Sequence, residues 1–346
     1  MKFSRRTFIF AALIAGVTAV AGTWALAGGP RFATEPTAVQ IRATPIASFD
    51  NSDPTRVRFG ALEFRGGLAL TSDFAAFGGI SGLHVDADGA HILAVTDNGS
   101  WLKARMVYRD GRLDGLADAE MAPLLGENGK PLAMQRAYDS ESLAQIGDAF
   151  YVGIERIERI ERFAARGGFA ARGNAIATPP DFKSFKFNKS LECLASPPPG
   201  QPYAGKLIAV TEESLDEAGN HRSFVLDPAA RNAAGTLRFT VKRSDDFDIS
   251  DCTILPPGDL LLLERSYSPL RGVAMRIRRV PVTDIKEGAV VDGPVLIKAD
   301  LGYQIDNMEG VAVTRNAAGE TIITLVSDDN FSAIQRNIML QFALVE

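Results

Sequence analysis

Nine carboxylates stand in register along this chain. In one set, the residue that opens a short strand-like run is followed by a small one: Ser81-Gly82, Glu141-Ser142, Glu192-Cys193, Asp251-Cys252 and Glu309-Gly310. In the other set an acid closes the next apolar run: Asp97, Glu155, Glu212, Glu264 and Asp328. If each pair of runs is a hairpin, its beginning and end lie at one edge of the sheet, and both sets face one mouth of the molecule. Acids gathered on one surface repel each other. They stay charged only beside a compensating cation, either a metal ion or arginine. Carboxylates, backbone carbonyls and water are the ligands of Ca²⁺. The three histidines, His84, His91 and His221, form no zinc motif, and the two separated cysteines make no thiolate cluster. The expected cofactor is therefore a hard, oxygen-ligated cation such as Ca²⁺. Basic residues follow the closing acids: Lys103 and Arg105, Arg156, Arg222, Arg265 and Arg271, and Arg336. Arginine beside metal-bridging carboxylates can clamp a phosphate. Salt bridges balancing charge at the rim are the equally open alternative.

The elements that must carry these acids recur at a fixed period. The opening positions are separated by 60, 51, 59 and 58 residues, which points to a solenoid or propeller. Each unit contains short apolar runs, such as Leu207-Ile208-Ala209-Val210, Leu260-Leu261-Leu262-Leu263 and Ile322-Ile323-Thr324-Leu325-Val326. Turn signals bound them: Asp88-Gly89, Asp110-Gly111, Pro256-Pro257-Gly258-Asp259 and Ala318-Gly319. Two adjacent runs and two further strands make a four-stranded blade. The expected fold is all-β: a β-propeller of five evident blades, with a sixth possible in the longer intervals. The last unit, from Glu309, has room for about three strands. The strand-like segment Phe59 to Leu70 precedes the first unit and is expected to supply the fourth, closing the ring and removing an exposed edge. The stretch Ile154 to Arg162 repeats every three residues and fits neither strand nor helix; an exposed, charge-paired extension is expected there.

The ends and the charge bound the destination. Ser4-Arg5-Arg6-Thr7-Phe8-Ile9 is a twin-arginine pattern before an uncharged apolar run from Phe8 to Ala27, and Ala25-Leu26-Ala27 offers small residues for cleavage. Residues 1–27 are expected to be an export signal read by the twin-arginine translocase, 28–57 a tether or surface wrap, and 58–346 the propeller. An uncleaved anchor is the alternative, since the run can span a bilayer. The expected location is periplasmic or secreted. Without Lys2, Arg5 and Arg6, 34 basic residues face 42 acidic ones, a formal charge of -8. That disfavours nucleic acid and anionic membranes as partners, and no part of the mature domain is expected to be membrane-embedded. In an oxidising compartment Cys193 and Cys252 either form one disulfide or serve as small buried packing residues.

Other catalytic schemes fail on their residues. Gly79-Ile80-Ser81-Gly82-Leu83 ends in leucine where a nucleophile elbow needs glycine, and no P-loop or dinucleotide fingerprint occurs. Asp86-Ala87-Asp88-Gly89 opens like a calcium loop but lacks the later ligands; a hairpin turn explains it.

The chain resembles the phytase-like family described by "esterase-like activity of phytase". The resemblance rests on Gly79-Ile80-Ser81-Gly82-Leu83, Thr96-Asp97-Asn98-Gly99, Asp139-Ser140-Glu141-Ser142-Leu143, Leu263-Glu264-Arg265, Asn307-Met308-Glu309-Gly310-Val311, Ser327-Asp328-Asp329-Asn330-Phe331-Ser332 and Gln335-Arg336-Asn337. It covers roughly Phe59 to Phe342. It implies a propeller with a carboxylate-lined face and, by its label, phosphoester hydrolysis, although a shared fold does not fix a reaction. On that reading Asp97, Glu155, Glu192, Glu212, Asp251 and Asp328 are expected metal ligands. Glu141, Glu264 and Glu309 are the expected catalytic acids, and Arg265 and Arg336 hold a small phosphorylated or anionic substrate. The alternatives are a non-catalytic periplasmic propeller, whose acids lock neighbouring blades through backbone amides, and a lactonase-like hydrolase. Pairing separates the first two: structural acids meet amides or arginine, whereas catalytic acids converge without them.

Overall fold

The computed structural model describes residues 31–345; the leader expected over 1–27 lies outside them. Five antiparallel four-stranded sheets are arranged as a five-bladed β-propeller. From the axis outward, blade 1 is Ile80–Val85, His91–Thr96, Ser100–Arg109 and Arg112–Pro123. Blade 2 is Ser140–Ile146, Ala149–Ile154, Arg159–Ala164 and Asn174–Ala175. Blade 3 is Cys193–Ala195, Leu207–Leu215, His221–Leu226 and Leu237–Val241, with Val290–Val291 added in parallel at its edge. Blade 4 is Asp248–Leu255, Asp259–Ser268, Gly272–Val280 and Val295–Asp300. Blade 5 is Asn307–Arg315, Thr321–Asp328, Asn337–Leu344 and Leu62–Thr71. The strand before the first unit therefore does close the ring, pairing Leu62 with Leu344 and Leu70 with Asn337.

The apolar runs have no polar face because each blade is packed between two others. Leu261 and Leu263 join the core shared with blade 5, while Leu260 and Leu262 join the core shared with blade 3. All four are fully buried. Five such apolar clusters lie between neighbouring blades.

Around the axis the innermost strands approach one another closely. This explains the small residue after each opening position. A Cβ on Gly82 would lie 2.6 Å from the Leu143 nitrogen, and one on Gly310 would lie 2.7 Å from the Ser81 carbonyl oxygen. Ser142 Oγ donates to the Leu191 carbonyl at 2.8 Å. Cys193 and Cys252 are joined by a disulfide, with Cα atoms 5.0 Å apart, which ties blade 3 to blade 4.

Residues 31–57 run along the propeller: Thr37–Ala38 extends blade 1, Arg42–Ile46 extends blade 5, and Phe49 is fully buried among aromatic rings. One expectation is corrected. The three-residue repeat from Ile154 to Arg162 is not an exposed extension. Glu155–Ile157 forms a 3₁₀ turn between two strands of blade 2, and Ile154, Glu155, Ile160 and Glu161 are buried.

Replacing Gly82 or Gly310 by alanine is expected to lower stability by about 1–3 kcal/mol, because Gly82 faces backbone, and Gly310 faces the Ser81 carbonyl and the stiff Val326 side chain, none of which yields cheaply. Urea unfolding of the two variants measures this.

Candidate active site at the propeller mouth

Inner strands begin, and their neighbours end, at the same end of the axis, so the acids converge there as the hairpin argument requires. Backbone hydrogen bonds set their order around the rim. The Asp97 amide donates to the Gly79 carbonyl at 2.9 Å, Asp139 to the Asp97 carbonyl at 2.7 Å, and Glu155 to the Asp139 carbonyl at 2.9 Å. Glycine is required at the first of these points: Gly79 has φ +60°, and a Cβ there would press on the Phe331 ring and the Asp97 carboxylate. Ser81, the one opening residue without a carboxylate, donates its hydroxyl to Asp97 Oδ1 at 2.7 Å. The Ser190 amide donates to Glu155, and the Asn330 amide to Asp328 Oδ1 at 2.6 Å.

One cation sits among these acids. Arg265 Nη2 lies 3.0 Å from Glu212 Oε1, its Nε lies 3.2 Å from Glu309 Oε1, and its Nη1 donates to Asn307 at 3.1 Å. Lys189 Nζ reaches the same Glu212 oxygen at 2.8 Å. Burial pulls the Arg265 guanidinium down, but Glu309, Glu212, Glu192 and Glu141 outweigh it and hold Arg265 above its usual value. The second oxygens of Glu212 and Glu309 are buried with no partner.

Glu141 and Glu192 stand apart from the others. No hydrogen bond among the described residues lowers either; burial first, and then neighbouring carboxylates, push both well above the usual range. Burial and carboxylate neighbours likewise raise Asp97 to about 7, Glu155 to about 7 and Glu309 to about 8, and Asp328 well above its ordinary value. The mouth thus holds more negative charge than the protein's own cations neutralise.

Asp97, Glu141, Glu155, Glu192, Glu212, Glu309, Asp328 and Arg265 are brought together. Arg336 stands at the rim of the same end, bound to Asp306 (3.4 Å), Gln304 (3.0 Å) and the Ile305 carbonyl (3.0 Å). It lines, with Lys189, Glu212 and Arg265, a cleft of about 930 Å³. A second cleft of about 500 Å³ is lined by Asp97, Asp139, Tyr138 and Phe331. Two expected site acids are satisfied by the protein's own groups. Asp251, beside Glu309, turns to backbone, accepting from the Cys252 amide and, on the neighbouring blade 5, from the Val311 amide, each at 2.7 Å. Glu264, 0% exposed, receives four guanidinium hydrogen bonds of 2.6–2.9 Å from Arg276 and Arg278. The reason is local. Strand pairing breaks around Glu212, whereas in blade 4 it runs unbroken from Leu260 to Ser268 and sets Glu264 directly opposite Arg276.

Sequence reasoning missed Asp139, Lys189 and Asn307. Asp139 and Asn307 belong to the Asp139-Ser140-Glu141 and Asn307-Met308-Glu309 stretches and could have been read from their nearness to the opening acids. Lys189 lies in an irregular loop and gave no signal.

These residues fit a hard cation in donor chemistry, with unpartnered buried oxygens on Glu212 and Glu309 and two acids, Glu141 and Glu192, that receive no hydrogen bond among the described residues. They do not form a tight preformed cage. Among the described residues, the one set of three such ligand atoms within 4.8 Å of one another is Asp86, Asp88 and His91. That set lies in the exposed first hairpin turn, where the Gly89 amide closes on the Asp86 carbonyl at 2.8 Å. A cation at the mouth would be completed by water and by movement of acids toward it.

A propeller whose axial mouth is ringed by buried, mutually repelling carboxylates around one arginine is the class that fold and site define. Residues 75–331 match the phytase-like family described as "Esterase-like activity of phytase", and the chain belongs to that family. No curated protein matches the sequence. Solved structures show faint likeness. A nidogen/laminin complex has TM-score 0.40 at 12% identity, covering 78% of this chain and 87% of that one. The RRP9 WD40 repeats have 0.38 at 12%, covering 90% and 87%. The PQQ-bound aldose sugar dehydrogenase of Streptomyces coelicolor has 0.43 at 11%, covering 88% and 99%. Likeness at this level carries no argument about function. Among the described residues no helix is long and apolar enough to cross a membrane.

Two measurements test the division of the acids. Glu264→Gln is expected to cost about 3–5 kcal/mol of stability, since it strips the charge from a buried pair of guanidiniums; Glu141→Gln is expected to leave stability equal or higher, as it removes repulsion. Thermal unfolding compares them. The metal-free protein is also expected to lose stability as pH rises from about 4 to about 8. Unfolded carboxylates ionise near pH 4, whereas Asp97, Glu155 and Glu309 keep protons to about 7, 7 and 8. The folded state binds more protons throughout that window, so rising pH favours unfolding.

Proposed function

We propose that this protein is an exported hydrolase of phosphoesters that works with a divalent cation, Ca²⁺ by the chemistry of its donors, at the propeller mouth. The observation that carries the reading is that Glu141 and Glu192 stand at the axis with no hydrogen-bond partner among the described residues, sharing the charge of Arg265 with several acids that repel them. Such a pair needs protons or an external cation. Family membership supports the same reaction class.

Glu141, Glu192, Asp97, Glu155 and Asp328 would hold the cation. When bound, it supplies Lewis-acid polarisation of a phosphoryl oxygen and a more acidic water. Arg265, Lys189 and Arg336, along one cleft, bind and orient the phosphate. Glu309 is the acid–base group: its Oε2 is buried without a partner, while Oε1 is fixed by Arg265 and by Asn307 at 2.7 Å. Held in this way, it can take a proton from water and return one to the leaving oxygen.

A second reading, a non-catalytic propeller, draws on Asp251 and Glu264, whose amide and arginine partners are those of structural acids. Calorimetric Ca²⁺ titration of chelator-stripped protein lacking the leader decides between them. Saturable binding is expected, weakened roughly tenfold or more in Glu141→Gln and Glu192→Gln, together with chelator-sensitive phosphoester hydrolysis that Glu309→Gln abolishes. Absence of binding would leave the structural propeller standing.

A further inference from the structure

We infer that the mouth takes a phosphoester with a single phosphate and an apolar alcohol portion, rather than a compact polyphosphorylated one. This rests on the hydrolase reading above and specifies its substrate class.

The cleft has two unlike parts. Its lining includes the cations Lys189, Arg265 and Arg336, and also the apolar Tyr267, at the end of the Asp259–Ser268 strand, with Leu301 and Ile334 from two separate turns. Those apolar side chains are 72%, 58% and 91% exposed, and Leu270 on the turn beside Tyr267 is 97% exposed. A single exposed leucine needs no explanation, but several converging on one cleft mark a surface that binds something apolar. The distribution over the molecule points the same way. Met134 and Phe187 also stand on mouth-side loops, whereas Val57, Tyr108, Val290 and Val295, the other large exposed apolar residues described, sit at the far end or the outer edge.

The charges argue against a polyanion. Each cleft cation already has an acidic partner: Lys189 has Glu212, Arg265 has Glu212 and Glu309, Arg243 has Asp248, and Arg336 has Asp306. Several phosphates would have to compete with all of these at once. One phosphate, held by the bound cation and Arg265, leaves the ester's alcohol directed along the cleft, where Tyr267, Leu301 and Ile334 cover it. The same chemistry occurs in a soluble alkyl or aryl phosphate and in the headgroup of a lipid.

The test is binding, read by calorimetry on the Ca²⁺-loaded protein with methyl phosphate and hexyl phosphate. Hexyl phosphate is expected to bind about tenfold tighter or better. The double variant Tyr267→Ser, Ile334→Ser, at exposed positions that leave the core untouched, is expected to erase that preference and keep methyl phosphate affinity. Equal affinity for the two esters, or a preference that survives the double variant, overturns the inference and leaves the hydrolase reading intact. Failure to bind either ester, with Ca²⁺ bound, overturns both. Flotation with phosphatidylcholine vesicles carrying a long-chain alkyl phosphate separates the sources. Co-flotation lost in the double variant assigns a lipid headgroup, and hexyl phosphate binding without flotation assigns a soluble ester.

Discussion

Five inner strands share one axis, and the rest of the molecule follows from how closely they approach. Near the Ser81 carbonyl and the Leu143 amide there is no room for a side chain, so Gly310 and Gly82 have none. One residue earlier on each strand, the chain emerges from that constriction and can carry a carboxylate. The pattern of an acid followed by a small residue is thus one geometric fact seen twice. The small residue allows the strands to close, and the acid fills the space where they splay. Because five strands splay toward the same point, the acids are pressed together in a site with little water, and their ionisation becomes costly.

The same crowding sorts the acids into two kinds. Asp251 and Glu264 resolve their charge inside the protein, one through backbone amides of neighbouring blades and the other through two arginines. They hold blades in place. Glu141 and Glu192 receive no hydrogen bond among the described residues and share the one charge of Arg265 with their neighbours, and Glu309 and Glu212 each keep one oxygen without a partner. A protein bears such unrelieved repulsion at a cost in stability, and sites of that kind are where binding and chemistry concentrate.

Much of this was legible in the sequence because it repeats. The period of the opening acids pointed to the blades, the short last unit to the closing strand, and apolar runs such as Leu260 to Leu263 to their strands. What stayed hidden depends on breaks in strand pairing, which no residue type announces. Glu212 and Glu264 occupy equivalent places in their units, yet pairing is interrupted at the first and continuous at the second, so only the first reaches the mouth. The segment from Ile154 to Arg162 was misread for a related reason. Its nine residues cross the end of one strand, a 3₁₀ turn and the start of the next strand, with buried residues on either side, rather than forming an extension. Lys189 escaped notice because it lies in a loop, where position is set by the blades and not by the local sequence.

The pairing of Leu62–Thr71 with Asn337–Leu344 has a consequence for how the protein comes to exist. Residues made early must wait for residues made more than two hundred and fifty positions later before their strand has a partner. Until then blade 5 is incomplete, the edge of Thr321–Asp328 is open, and the Phe49 aromatic cluster, which draws on Phe342, cannot assemble. Ring closure is consequently a late event built on contacts of extreme sequence separation, the kind that slows folding. The acid mouth takes shape only with that last step, since Glu309 and Asp328 belong to the blade that closes it. Synthesis and completion of the mouth are thereby separated: a partly made chain has blades but no closed ring of acids.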